Sequence, residues 1–243
     1  MLITNPFSEV SSTIPSIVLQ LFVIAMIVLV AAGTLFDIAH KKNMKYFFEN
    51  YKKAKTAATK KLRSAEVASI VTKTVASDIL TTAELGAGQR RAAHLLGMYG
   101  SIIFWISSAI MIFCYATPEA NTPKALPIIW HVGAIMTCLG GYWFWFFLRV
   151  DVSAEANPWN RIVRADLFVL SLLAASTLGL LWSYFQSAGI LGWDKLFLVL
   201  FGLSNIALFG GVYWSKFAHM FYKPGAAIQK NLSEADGFRD DLP

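Results

Sequence analysis

Four histidines carry most of the chemistry that these 243 residues offer: His40, His94, His131 and His219. A neutral imidazole is both a metal ligand and a proton carrier, and two of the four share a setting. His94 follows Arg90-Arg91, where a basic, water-soluble stretch turns into an apolar one. His219 sits in Lys216-Phe217-Ala218-His219-Met220-Phe221-Tyr222-Lys223-Pro224. Two imidazoles flanked by cations suit haem b, which takes one histidine on each side of its iron and basic side chains near its propionates. Little else in the chain suggests a reaction. Cys114 and Cys138 lack metal-like spacing and read as packing residues, and no acid, base and nucleophile set stands out.

A membrane is what must position these residues. The chain is 56% hydrophobic and 15% charged, too little charge to cover a soluble globule. A bilayer core of about 30 Å takes roughly 20 apolar residues of helix. Five uncharged runs reach about that length, at 14–36, 94–116, 126–148, 167–185 and 196–215. The predicted fold is an all-α membrane protein, a five-transmembrane-helix bundle. Residues 1–15 lack the basic region of a secretory signal, and the apolar run after them is longer than a signal core, so the first span is expected to be retained.

Lysine and arginine set the orientation. Of the 21, nineteen fall in the stretch between the first two spans, the third-to-fourth loop and the tail, with only Lys124 and Lys195 opposite. The amino terminus is therefore expected outside and the carboxyl terminus in the cytoplasm. This asymmetry accounts for the net charge of +6 without a nucleic-acid partner.

The chain then divides into an outer amino terminus with the first span (1–36), a basic cytoplasmic segment (37–93), a four-span haem-binding bundle (94–223) and a cytoplasmic tail (224–243). Within the basic segment, 41–63 mixes lysines with Tyr46, Phe47, Phe48 and Tyr51, as an amphipathic helix at anionic headgroups does. Residues 64–88 place Val67, Ile70, Val71, Val75, Ile79 and Leu80 at helical spacing, ended by Gly86 and Gly88. The segment reads either as a solvated linker or as a dock for a soluble partner.

With the amino terminus outside, the second span begins, and the fifth ends, on the cytoplasmic side. His94 and His219 then share a depth, with Arg90, Arg91, Lys216 and Lys223 as candidate propionate partners. His94, Met98, Ser101, Trp105 and Ser108 form one stripe on the second span, and Gly97 and Gly100 thin the helix beside it, leaving room for a flat ligand. Helical steps back from His219 reach Ser215, Val212, Leu208 and Asn205, a second, partly polar stripe. Asn205 is an amide in mid-span that needs a partner, and with His131 it is a candidate for a quinone or second site. His40, beside Lys41 and Lys42, reads as solvated. His131 is the lone outer histidine, with neither Met111 nor Met136 opposite it, and reads as a quinone contact or an interfacial packing residue. Histidines at helix ends can also simply hydrogen-bond at the interface, which keeps a haem-free membrane anchor recruiting a cytoplasmic enzyme open as the alternative. A transporter or channel finds least support, because ionisable groups within the spans are scarce.

The five-span layout, the histidine that opens the second span after Arg90-Arg91 and the Lys216–Pro224 setting of His219 resemble the cytochrome b subunits of the respiratory nitrate reductase gamma-chain superfamily, best over 77–224. That group includes the membrane subunits of heterodisulfide reductases and of the quinone-interacting complexes that serve adenylylsulfate reductase. By length and layout the chain looks most like a small membrane anchor of adenylylsulfate reductase. The resemblance implies an inner-membrane subunit of an oxidoreductase complex, in sulfur metabolism. Such a subunit passes electrons through haem b, held by His94 and His219, between the quinone pool and a cytoplasmic iron–sulfur or flavin partner docked on 41–91 and the tail. Diheme members place further histidines where this chain has Phe104 and, roughly, Phe201, so one haem is expected. The long basic segment is unlike the gamma-chain and like the sulfur-metabolism relatives.

Overall fold

In hydrocarbon, every backbone donor and acceptor has to be satisfied inside its own segment, so long apolar runs become helices. The computed structural model describes residues 1–237 apart from Lys42, Ala87, 151–156, Leu191, Lys216 and Ala218; for Lys41, Asn43, Met44, Glu84 and His219 it describes the backbone alone. Among the described residues there are nine α-helices and no strand: α1 (Pro6–Val10), α2 (Ser16–Lys41), α3 (Asn43–Ala57), α4 (Ser64–Thr74), α5 (Gln89–Cys114), α6 (Ala125–Trp143), α7 (Leu167–Ser187), α8 (Trp193–Gly210) and α9 (His219–Ala235). Five of these, α2, α5, α6, α7 and α8, are long and apolar enough to cross a membrane. They close into a ring in which α5 lies along α6, α6 touches α7, α7 lies along α8, and α2 fits between α8 and α5.

Small residues draw α5 and α6 into backbone contact, as is usual where lipid leaves little hydrophobic drive between helices. A Cβ added at Gly100 would lie 2.6 Å from Thr137 N, and one at Gly140 would lie 2.5 Å from both Ala93 O and Gly97 N. Gly100 is therefore taken up by α6 and leaves no room for a ligand. Around Gly97 the expectation of space holds, for a Cβ there meets nothing within 4 Å.

Three boundaries differ from the sequence expectation. The second span begins at Gln89, so Arg90, Arg91 and His94 are already helical. The first span runs on to Lys41, which draws Asp37 into it. The fifth stops at Gly210, five residues before the apolar run ends at Ser215. There Gly211 N bonds to Ala207 O (3.0 Å) and Ser215 N to Gly211 O (2.9 Å). A Cβ on Gly211 would lie 2.5 Å from Ala207 O and 2.8 Å from Leu167 Cδ2, so a glycine is what lets the chain turn while pressed on α7. The continuous stripe from Asn205 through Ser215 to His219 is thereby corrected: His219 opens a separate helix.

The amino-terminal residues, expected only as an outer lead-in, close one end of the ring. Asn5 caps α1, its Oδ1 accepting from Phe7 N (3.0 Å) and Ser8 N (3.4 Å). Its Nδ2 donates to Tyr115 O (2.9 Å) and Thr122 Oγ1 (3.0 Å). Gln186 Nε2 donates to Pro6 O (3.0 Å). Phe7, 4% exposed, meets Trp130 and Trp182 edge to face, at centroid distances of 5.9 and 5.1 Å.

At the other end, the basic segment and the tail form one unit. The helical spacing read over 64–88 appears as α4 and a wider turn at Val75–Leu80, and the aromatic-and-lysine stretch as α3. Asn231 Nδ2 on α9 donates to Thr74 Oγ1 (2.8 Å) and Asp78 Oδ2 (2.9 Å). Thr59 N and Lys60 N both donate to Asp236 O, at 3.0 and 2.9 Å. The hydrogen bonds from Ser77, first, and Asn231 hold the Asp78 carboxyl below its usual range.

Candidate cofactor site

His94 stands exposed on α5, one turn before Gly97. The start of the helix is tied down by Arg91 Nε donating to Thr81 O and Tyr99 OH donating to Leu80 O, both at 2.7 Å. Along the predicted stripe the surroundings change from outside to inside. His94 is exposed, Met98 half-buried and Ser101 buried, with its hydroxyl bonded to Met98 O at 2.9 Å. Trp105 then reaches the seam with α8. Its ring lies 5.5 Å from Phe209 and 6.5 Å from Phe217, nearly parallel to the latter at 26°. Trp105 Nε1 is buried with no acceptor among the described residues, which is unusual for an indole N–H.

Phe217 belongs to the stretch after α8. It packs with Leu172, Leu208 and Val212 and meets Phe168 edge to face at 5.2 Å. Ser215 Oγ accepts from Phe217 N (3.2 Å). These contacts put Phe217 level with Trp105, eleven residues from His94, or about 16 Å along α5. His219 follows Phe217 by two residues; its backbone opens α9, and its side chain lies outside the described atoms, as does all of Lys216. Arg90 is exposed, and Lys223 is half-buried on α9.

The first span contributes a residue that the sequence reading missed. Asp37, 1% exposed, accepts a hydrogen bond from Tyr222 OH of α9 at 3.1 Å. Burial, helped by this bond, pushes the Tyr222 phenol up to about 12. The available signal was spacing: Asp37 lies four residues after Gly33, where a Cβ would come within 2.9 Å of Val212 Cβ. A helix continued through Phe36 therefore turns Asp37 inward. One turn earlier, Thr34 Oγ1 is also buried without a partner among the described residues.

The remaining candidates lie elsewhere. His131 is 1% exposed. Its Nδ1 donates to Pro127 O (2.7 Å), and Nε2 accepts from Ser183 Oγ (2.9 Å), so both ring nitrogens are engaged. Asn205 finds its partner on its own helix, Nδ2 donating to Phe201 O (2.8 Å). His40, exposed as expected of it, stacks on Phe36 at 4.5 Å. Between His131 and the middle of the ring lies an aromatic layer. Phe104 meets Phe201 at 6.1 Å and Trp130 at 5.0 Å, and Trp182 stacks on Phe201 at 5.7 Å. A Cβ on Gly179 would lie 3.3 Å from both phenylalanine rings, so this level is filled.

Comparison with known proteins adds no relative: no family model, no curated protein and no solved structure matches the chain. The residues themselves fit a flat group with a polar edge on the α5 face. There is an imidazole at one end of the stripe, open space at Gly97 beside it, and at the other end an indole donor with no acceptor among the described residues.

Proposed function

We propose that this chain is a membrane cytochrome b subunit, passing electrons between a membrane quinone and a redox partner docked on its basic end. The observation that carries this reading is the stripe on α5. His94, the space at Gly97 and the Trp105 N–H, which has no acceptor among the described residues, lie along it. His94 and His219 are the iron ligands in this reading, and Arg90, Arg91, Lys216 and Lys223 provide the positive charge for the propionates. Haem b supplies reversible one-electron transfer when bound. The surrounding Trp105, Phe209 and Phe217 rings keep water from that edge, and Tyr222 with Asp37 ties α9 to α2 beside it.

The filled aromatic layer at Phe104 and Phe201 supports a single haem. The engaged nitrogens of His131 and the intrahelical bond of Asn205 support packing roles for both. The lysine and arginine asymmetry supports a cytoplasmic side for the α3, α4 and α9 unit, where 41–91 and the tail offer one platform to an iron–sulfur or flavin subunit in this reading. That same platform favours the second reading, a haem-free anchor for a cytoplasmic enzyme.

The test is the spectrum of the purified chain reduced with dithionite. A b-type band that disappears in His94→Ala and in His219→Ala, with membrane insertion intact, is the expected result. A chain without the band is an anchor, and full haem retained in either single variant shows that the wrong residues have been paired.

A further inference from the structure

The turn before α7 is pinned from beneath by a buried cation. Arg149, 2% exposed, donates through Nη2 to Arg161 O (2.6 Å) and to Asp166 Oδ2 (2.7 Å). Its guanidinium lies 4.0 Å from the Trp145 ring centroid. The same Asp166 oxygen accepts from Val163 N at 2.9 Å. Charge-assisted bonds of this kind are short and directional, so residues 161–166 are held as a rigid lip. The lip turns apolar side chains outward: Ile162 is 66% exposed and Val163 45%.

Together with Leu167, Leu170 and Trp214, the lip encloses an open groove of about 550 Å³, within the range of about 300–1,000 Å³ typical of ligand clefts. Its lining is apolar except for Arg164, whose side chain has no ion pair or hydrogen bond among the described residues. Arg164 is also the first residue of the span Arg164–Ser187, so it stands where an apolar helix meets the membrane surface. A lone guanidinium at headgroup level, above a trough of aliphatic and indole surface, matches a phosphate joined to an acyl chain.

We propose that this groove is a binding site for one anionic phospholipid, its phosphate on Arg164 and a chain against Leu167, Leu170 and Trp214. The inference is independent of whether the chain binds haem.

The test uses the full chain in mild detergent, titrated with phosphatidylglycerol or with phosphatidylcholine of the same chains and read by native mass spectrometry. One phosphatidylglycerol should bind more tightly than the rest and more tightly than phosphatidylcholine. Arg164→Gln should weaken it about tenfold, the loss expected for one hydrogen bond to a charged group, and Arg164→Lys should recover part of that. Leu170→Trp, which fills the groove without touching the charge, should weaken binding as well, with helix content unchanged. Equal binding of phosphatidylglycerol by the wild type and Arg164→Gln, equal binding of the two lipids, or displacement of the phospholipid by an added quinone overturns the proposal. If Arg164→Gln loses helix content, Leu170→Trp decides alone.

Discussion

Alanine at Gly140 meets three atoms of α5 where alanine at Gly97 meets none, and the two are expected to act in opposite directions. A Cβ on Gly140 falls 2.5 Å from Ala93 O and Gly97 N and 2.9 Å from Leu96 Cβ. The first two are backbone atoms of α5 and cannot rotate away, so α5 has to retreat by about 0.9 Å to restore the 3.4 Å at which ordinary contact begins. Overpacking of this kind costs about 1–3 kcal/mol. A Cβ on Gly97 meets nothing, so the substitution there keeps the contact and adds the helix preference of alanine over glycine, up to about 1 kcal/mol. Gly140 also lies inside a helix and gains the same preference, so the two variants should differ by the overpacking alone, about 1–3 kcal/mol. For a chain of this size each kcal/mol moves a melting midpoint by about 2–4 °C. Thermal unfolding in one detergent, followed by helical circular dichroism, reads this directly. A third variant reads haem content under the proposed function: Gly97→Leu keeps the fold and fills the space beside His94, so the b-type band falls while the midpoint does not. A Gly140→Ala protein that melts with Gly97→Ala, or above it, would refute the backbone contact between α5 and α6.

Two further outcomes follow from side chains at opposite ends of the ring. Phe7→Ala removes a buried ring from between two tryptophans and should cost about 3 kcal/mol, seen as a lower midpoint and faster amide exchange over α1. Tyr222→Phe tests the link to Asp37. Because the folded phenol is raised from 10.0 to about 12, its contribution is complete below pH 10 and is lost as pH rises through 12. The wild type should therefore lose stability relative to Tyr222→Phe across that window, and parallel melting curves from pH 9 to 12 would contradict it.

The spans and the two helices of the basic segment were legible because each depends on local pattern alone. An uncharged run long enough for a bilayer has one solution, and lysines alternating with Tyr46, Phe47 and Phe48 have one favourable placement. The stop at Gly210 was not legible, because the run stays apolar to Trp214 and glycine is common in membrane helices. The turn depends on how closely Leu167 approaches Gly211, a tertiary fact. Phe7 escaped notice for the same reason, as one apolar residue among polar ones with its partners more than a hundred positions away. For the site, the α5 stripe lies on one unbroken helix, while the matching stripe toward His219 assumed a helix that ends early. Asp37 was hidden by a boundary placed at residue 36, five residues before the helix ends at Lys41.

The clasp between α4 and α9 sets an order on biosynthesis. Thr74 and Asn231 are separated by 157 positions, with four spans between them. At about 5–20 residues per second, translation takes about 8–30 s to deliver the partner. For that interval the lysine-rich helices have left the ribosome without the surface they finally rest on, so the platform is completed only after the last span has been made. A ribosome that stalls within α8 leaves a chain with most of its membrane helices and no finished platform, which any subunit that reads the α4–α9 face passes over.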